Sequence, residues 1–181
     1  MINQVEAQNI LQDFLRIESV TPDAKKSFDF LEKLFKKYNF EIHRVKFGSA
    51  DTIEVENMFA IIGSGGPHLN FAGHVDVVPP GELNSWKHPP FSGHIEDGII
   101  YARGAEDMKG AVIASIVAGI NYYERMDSKG TLSYMLTGDE EGVAINGTKP
   151  LIKWVNDQGI KINDCIVTEP TNKELIGDNI K

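Results

Sequence analysis

Length, composition and charge narrow the classes of protein to which this chain can belong. Its 181 residues are 41% hydrophobic and 24% charged, the balance of an ordinary soluble globular domain or of a large part of a bigger one. The formal net charge is −8 and no basic stripe is present, which argues against nucleic acid as a partner, while the single cysteine, Cys165, excludes an internal disulfide framework.

Nothing in the sequence indicates export or a membrane partner. The N-terminal segment MINQVEAQNILQDF lacks the basic region and the continuous apolar core of a signal peptide. No apolar stretch reaches the roughly 18 residues that are needed to span a bilayer. Because a lone cysteine also fits a reducing compartment, we expect a soluble cytoplasmic protein.

The apolar pattern predicts helices and strands that alternate along the chain. Residues 3–17 have helical spacing and end at the proline of SVTPD, and residues 27–40 form a second amphipathic helix with Ser27 as its N-cap. The remaining predicted elements are strands at 41–47, 57–63 and 69–78, an apolar helix at 108–124, a strand at 131–138, a helix at 147–159 and a strand at 164–170 that places Cys165 in the core.

This alternation predicts an α/β fold in which helices cover a largely parallel sheet. Neither a repeat, a low-complexity tract nor an evident linker interrupts the chain. The loop at 79–93 is long for a compact domain, and long loops often carry function.

Four clusters of acidic residues, one of which includes a histidine, lie at the ends of predicted elements. HVD (74–76), GDEEG (138–142) and TEPT (168–171) follow apolar strands, and AEDMKG (105–110) leads from a loop into a helix. Ligands of open α/β sheets bind outside the carboxyl ends of the strands, so the four clusters could share one crevice. Imidazole and carboxylate groups without cysteine are typical of a catalytic site for zinc or a similar divalent cation.

His74 and Asp76 are two positions apart, so on a strand they would share a face. A metal-bound histidine usually donates its second ring N–H to a carboxylate, which predicts that His74 binds a metal and Asp76 orients it. The alternative is a core histidine beside an aspartate that caps a turn.

The adjacent carboxylates Glu140 and Glu141 can divide two tasks, because one can bind a metal while the other acts on a water molecule. A solvated acidic turn is the alternative for this pair. Asp107 could instead be a helix N-cap, and Glu169 a solvated residue at a strand end. The other histidines, which the pattern places in an exposed strand or in loops, receive no role; they are His43, His68, His88 and His94.

The order of the motifs is far more specific than any one of them. The chain resembles the family of dinuclear zinc peptidases and deacylases in a series of motifs, which in chain order are GHVDVVPPG, W-x-x-PPF, DG-x-x-YARGAEDMKG, TGDEEG, GT and TEPT. The resemblance implies a three-layer helix-sheet-helix catalytic domain with a largely parallel mixed sheet. Residues 1–181 would be its N-terminal part, truncated before an inserted dimerisation domain, with the C-terminal catalytic segment and its histidine ligand absent.

The resemblance also implies a role for each site residue. His74 and Glu169 would bind one zinc ion, Glu141 a second, and Asp107 both, with a cis peptide between Asp107 and Met108. The catalytic residues would be Asp76, which orients His74, and Glu140, the general acid and base. The cofactors would be two Zn²⁺ ions, with Co²⁺ as a possible substitute.

The implied activity is hydrolysis of the amide bond of a small N-acyl amino acid by a homodimer that forms through the missing domain, without nucleic acid or membrane. The segments PPGELNSW (79–86), TEPT and LIGDNIK (175–181) resemble those of family members that act on N-succinyl-LL-2,6-diaminopimelate, an intermediate of lysine and diaminopimelate biosynthesis, so the resemblance implies this substrate. The alternatives are deacylation of another N-acyl amino acid such as acetylornithine, and a catalytically inactive fragment.

Overall fold

The computed structural model describes residues 1–125, 130–171 and 175, so LIGDNIK lies outside the described residues except for Leu175. The α-helices in these ranges are α1 (Gln4–Leu15), α2 (Lys25–Lys37), α3 (Gly110–Arg125) and α4 (Thr148–Asp157). The strands are β1 (Glu41–Ser49), β2 (Thr52–Gly63), β3 (His68–His74), β4 (His94–Glu96), β5 (Ile99–Tyr101), β6 (Thr131–Thr137) and β7 (Asp164–Val167). None of the helices in the described ranges is long and apolar enough to cross a membrane.

Five strands form a mixed sheet in the order β1-β2-β6-β3-β7. β1 and β2 form an antiparallel hairpin, β2 pairs antiparallel with β6, and β3 lies parallel to both β6 and β7. The carboxyl ends of β6, β3 and β7 therefore meet at one edge of the sheet. His74 is in register with Thr137 at that edge.

Alternate side chains of the central strands pack against helices on opposite faces of the sheet, as the period of two along a strand requires. One face contributes Met58, Ala60, Tyr134 and Leu136 to a core shared with α1, α2 and α3. The other face contributes Phe59, Ala72 and Met135 to a smaller core with Leu151 and Val155 of α4. The predicted three-layer helix-sheet-helix architecture is confirmed.

The helix starts follow different local rules. Asn3 caps α1, because its side chain accepts a hydrogen bond from the Glu6 N–H at 3.0 Å while the Glu6 carboxylate accepts one from the Asn3 N–H at 3.2 Å. The prediction of Ser27 as the cap of α2 is wrong. The helix already begins at Lys25 after Ala24, whose methyl group is buried in the core, and Ser27 is buried within the first turn.

Two strand boundaries differ from the prediction. β2 begins at Thr52 instead of residue 57, because its charged first half pairs with β1, where Lys46 contacts Glu54 at 3.0 Å. β3 ends at His74 instead of residue 78, because the chain then turns away from the sheet. The Val77 N–H donates a hydrogen bond to the Ser19 carbonyl at 2.9 Å.

A short hairpin, β4–β5, was not predicted from the sequence. Its strands have only three residues each, too few to show a period. The Asp97-Gly98 pair forms its turn with positive φ at both residues, which is typical of two-residue hairpin loops.

Two predictions of side-chain burial, for Cys165 and His68, are also wrong. Cys165 is exposed, because β7 lies at the edge of the sheet among the described residues and all four of its residues are solvent-accessible. His68, predicted to lie in an exposed strand or a loop, is buried at the start of β3, where its ring forms hydrogen bonds with the Ser133 hydroxyl at 2.7 Å and the Lys161 carbonyl at 2.9 Å.

Candidate metal and catalytic site

The topology of the sheet brings the four predicted clusters together. His74 is the last residue of β3, the Gly138–Gly142 turn follows β6, and Glu169 lies two residues beyond β7. Asp107 belongs to an irregular helical turn, Ala105–Lys109, that leads into α3. The predicted convergence at the carboxyl ends of the strands is present in the structure.

The Nε2 atom of His74 faces three carboxylates. It lies 3.0 Å from Asp107 Oδ1, 3.3 Å from Glu169 Oε1 and 3.7 Å from Glu140 Oε2. Glu141 completes the cluster, since one ligand atom each of His74, Asp107 and Glu141 lie within 4.8 Å of one another. The imidazole nitrogen and carboxylate oxygens are a donor set that fits zinc or cobalt.

Negative charge around the cluster shifts the pKa values of two of its members. Burial lowers the pKa of His74, but the backbone hydrogen bond and negative charge of Asp76, with the charge of Glu169, outweigh it and shift the pKa upward. Burial and then the neighbouring Asp107 charge raise the pKa of Glu141. Both shifts arise because negative charge is concentrated in a partly buried space, which a bound cation would stabilise.

The ring of His74 is oriented by the main chain of Asp76. Nδ1 lies 2.8 Å from the Asp76 carbonyl oxygen, whereas the nearer carboxylate oxygen of Asp76 is 3.6 Å away. The predicted contact through the carboxylate assumed that both residues lie on one strand, but β3 ends at His74. With the proton on Nδ1, the Nε2 lone pair points at the acidic cluster, the arrangement of a metal ligand.

The carboxylate of Asp76 instead contacts the turn that carries the paired glutamates. It accepts hydrogen bonds from the Glu140 N–H at 3.2 Å and the Glu141 N–H at 3.1 Å, and Asp76 is fully buried. Glu140 is 49% exposed, so its carboxyl group can reach a ligand in the crevice.

The geometry does not support a helix N-cap role for Asp107 or a solvated strand-end position for Glu169. Asp107 has non-helical backbone angles and its carboxylate faces His74, while α3 begins only at Gly110, so Asp107 is not its N-cap. The peptide between Asp107 and Met108 is cis, as the resemblance implied. The side chain of Glu169 is 18% exposed and also faces His74, so it is not a solvated strand end.

Gly73 allows the Asp107 segment to approach β3. A Cβ atom at Gly73 would lie 2.8 Å from the terminal methyl of Met108, and the backbone N–H of His74 donates to the Met108 sulfur at 3.2 Å. This close contact brings the residue after Asp107 against the last residues of β3.

Sequence reasoning missed Lys109, which is fully buried beneath the site. Its ammonium donates to the Ile17 carbonyl at 2.8 Å and lies over the ring of Phe14, which ties the Asp107 segment to the end of α1. Burial lowers the pKa of Lys109 to about 7, against the opposing charge of Asp76. A lysine directly before an apolar helix, inside the AEDMKG motif, was the available signal.

Asp139 is a second missed residue. It is buried at the start of the glutamate turn, and its carboxylate accepts a hydrogen bond from the Asn146 N–H at 3.2 Å. The Asn146 side chain in turn donates to the Ile53 carbonyl of β2 at 2.8 Å. These bonds tie the far side of the turn to the β1–β2 hairpin.

Sequence comparison identifies the family. A model of Peptidase family M20/M25/M40 matches residues 70–181. The chain is 46% identical over 178 residues to a succinyl-diaminopimelate desuccinylase of Bradyrhizobium sp. (strain BTAi1), covering 97% of this chain and 46% of the relative. A succinyl-diaminopimelate desuccinylase of Rhodopseudomonas palustris (strain TIE-1) is 45% identical over 183 residues, which cover 100% of this chain and 47% of the relative. The chain thus spans about half the length of the curated relatives that it matches.

Solved structures share the fold. A metallo-carboxypeptidase of the M20 family, Sso-CP2 from Sulfolobus solfataricus, superposes with a TM-score of 0.79 at 24% identity over 92% of this chain and 38% of the other. Human carnosine dipeptidase 1 superposes with a TM-score of 0.78 at 22% identity, and the match covers 93% of this chain and 39% of the other. The family match over residues 70–181 confirms the resemblance predicted from the order of the motifs, and the chain belongs to Peptidase family M20/M25/M40.

Proposed function

We propose that the whole protein hydrolyses the amide bond of N-succinyl-LL-2,6-diaminopimelate to succinate and LL-diaminopimelate. The observation that carries this proposal is the 46% identity to a succinyl-diaminopimelate desuccinylase over 97% of the chain. The convergence of one imidazole and four carboxylates at the sheet edge supports hydrolytic chemistry at this site.

The cluster is proposed to bind two zinc ions, for which Co²⁺ could substitute because it favours similar donors. His74 and Glu169 would hold one ion, Glu141 would hold the other, and Asp107 would contribute to both sites. The position of Asp107 supports this sharing, since its carboxylate lies beside His74 and also within the group that contains Glu141. A further histidine from outside these residues would complete the second site.

Glu140 is proposed as the general acid and base. Bound zinc would supply Lewis-acid polarisation of the amide carbonyl and would lower the pKa of a water molecule. The Glu140 carboxylate accepts the proton of the attacking water and then delivers it to the nitrogen of the leaving amine. Its exposed carboxyl group and its hydrogen-bonded main chain suit a residue that must reach substrate from a fixed position.

Residues 1–181 are proposed as the N-terminal part of the catalytic domain, followed by a dimerisation domain and a C-terminal catalytic segment in a cytoplasmic homodimer. The described edge of the sheet supports a continuation of the domain, because Ile166 and Val167 of β7 are 46% and 61% exposed. An apolar edge strand is normally covered by another element.

An activity assay of the full-length protein tests the substrate. We expect zinc- or cobalt-dependent release of succinate from N-succinyl-LL-2,6-diaminopimelate, lost on chelation and restored by added metal. N-acetylornithine is the matched alternative substrate and should react at least about tenfold more slowly, the discrimination that about 1.4 kcal/mol of transition-state binding provides. Faster turnover of the acetylated substrate would identify a different deacylase.

A further inference from the structure

We infer that Asp76 is a positioning residue that fixes the Glu140–Glu141 peptide through its carboxylate while it orients His74 through its carbonyl. This inference deepens the proposed function and rests on it for the role of Glu140. It differs from the expected role of Asp76, in which the carboxylate acts on the histidine ring.

Asp76 accepts hydrogen bonds both at its carboxylate oxygens and at its main-chain carbonyl oxygen. Oδ2 accepts from the Glu140 N–H at 3.2 Å and from the Glu141 N–H at 3.1 Å, and Oδ1 lies 3.3 Å from the Glu140 nitrogen. The carbonyl oxygen lies 2.8 Å from His74 Nδ1. A fully buried carboxylate that receives two adjacent backbone N–H groups is a strong restraint, because hydrogen bonds to a charged acceptor are stronger than neutral ones.

These bonds set the geometry between the histidine and the two glutamates. The Gly138–Gly142 turn is already attached to the β1–β2 hairpin on its far side through Asp139 and Asn146. Asp76 attaches the same turn to the end of β3 and places Glu140 Oε2 3.7 Å from His74 Nε2. A misplacement of about 1 Å in such a site can lower the rate about 100-fold.

Loss of the carboxylate leaves the orientation of the imidazole intact, because the partner of Nδ1 is the main-chain oxygen at 2.8 Å and the carboxylate oxygen is 3.6 Å away. Asp76 therefore acts on the proton-transferring glutamate more than on the affinity of His74 for metal. A carboxylate that acted through the histidine would give the reverse pattern.

The test compares Asp76→Asn and Asp76→Ala with the wild type in the full-length protein. We expect kcat for the succinylated substrate to fall about 100-fold in Asp76→Asn, which keeps one acceptor oxygen, and further in Asp76→Ala. Hydrogen exchange over residues 138–142 of the metal-free protein should become about tenfold faster, because the two N–H groups lose their charged acceptor. The zinc dissociation constant of the tighter site should stay within about threefold of wild type, since His74 keeps its carbonyl partner.

His74→Gln serves as the matched control. We expect this variant to bind zinc much more weakly while hydrogen exchange over residues 138–142 stays as slow as in the wild type. The inference is overturned if Asp76→Asn weakens zinc binding 10- to 100-fold without faster exchange at 138–142, or if kcat is unchanged. Thermal unfolding shows whether Asp76→Ala folds, and Asp76→Asn decides the question if it does not. If the wild type lacks desuccinylase activity, the proposed function fails, while the exchange and zinc measurements still decide the role of Asp76.

Discussion

His74 and Asp107 are 33 positions apart in the sequence, yet Nε2 of the histidine lies 3.0 Å from Oδ1 of the aspartate. The last residue of a buried strand and an irregular turn before α3 meet at this point because Gly73 leaves space for Met108. Every other carboxylate of the proposed metal site lies around this pair.

Substitution of each of the two neighbouring glutamates by glutamine should distinguish the residue that transfers protons from the residue that binds metal. In the full-length enzyme, we expect Glu140→Gln to lower kcat by about 10²–10⁴-fold or more while zinc content stays at the wild-type level, because an amide cannot transfer the proton. Glu141→Gln is the matched control and should lose zinc. Steady-state assays and elemental analysis measure both effects. Loss of zinc from Glu140→Gln alone would mean that the two roles are reversed.

Gly119→Ala in α3 should destabilise the protein, although alanine is normally the better helix former. A Cβ atom there would lie 2.1 Å from the Tyr134 hydroxyl oxygen and 2.7 Å from a methyl of Leu132. The hydroxyl cannot easily move, since it donates to the Ser115 carbonyl at 2.9 Å. We expect the free energy of unfolding to fall by about 1–3 kcal/mol in denaturant titrations.

Its neighbour Ala118, which is exposed on the same helix, provides the control. Ala118→Gly removes one methyl group without a packing effect and should cost about 1 kcal/mol through helix propensity alone. An increase in stability for Gly119→Ala would show that the core above α3 is looser than the structure indicates.

Arg44 should stabilise the fold most strongly near neutral pH. It contacts Glu56 at 2.6 Å and Glu32 at 3.0 Å, and it also pairs with Asp29. Hydrogen bonds from Lys25 and Arg44 lower the pKa of Asp29, and hydrogen bonds from Lys36 and Arg44 lower the pKa of Glu32. We expect Arg44→Met, which keeps an apolar stem beside Phe28, to lower the free energy of unfolding by about 1–2 kcal/mol at pH 7.

The pH dependence follows from the direction of these shifts. A carboxylate with a lowered pKa in the folded protein stabilises it above the unfolded-state pKa, and this contribution is lost as the pH falls through the folded-state pKa. The difference between Arg44→Met and wild type should therefore shrink below about pH 4. Urea titrations between pH 3 and pH 7 would show this, with Lys33→Met at an exposed position of α2 as the control. A difference independent of pH would assign the effect of Arg44 to packing.

Much of the site could be predicted because strand ends are visible in the sequence. Apolar runs that stop at HVD, GDEEG and TEPT place these groups at one edge as soon as their strands are parallel, and the structure brings them together. The burial of Cys165 could not be judged in the same way. Its strand is apolar, but exposure depends on β7 being the last strand of the described sheet.

The role of Asp76 shows a second limit. An HxD pattern on a strand predicts a shared face, and that argument assumes that the strand continues. The chain instead leaves β3 after His74 to pair with residues near Ser19, which is a long-range contact with no local signal. The hydrogen bonds from the Glu140 and Glu141 N–H groups depend on this turn of the chain, so they were visible only in the structure.

The positions of metal ions in the full-length protein would test the proposed metal site directly. Anomalous X-ray diffraction at the zinc absorption edge, with crystals grown in the presence of zinc, measures them without reference to activity. We expect two peaks about 3.5–4 Å apart, one in contact with His74 and Glu169, the other in contact with Glu141, and both in contact with Asp107. Full occupancy by zinc at some other cluster, with no peak beside Asp107, would contradict the proposed site.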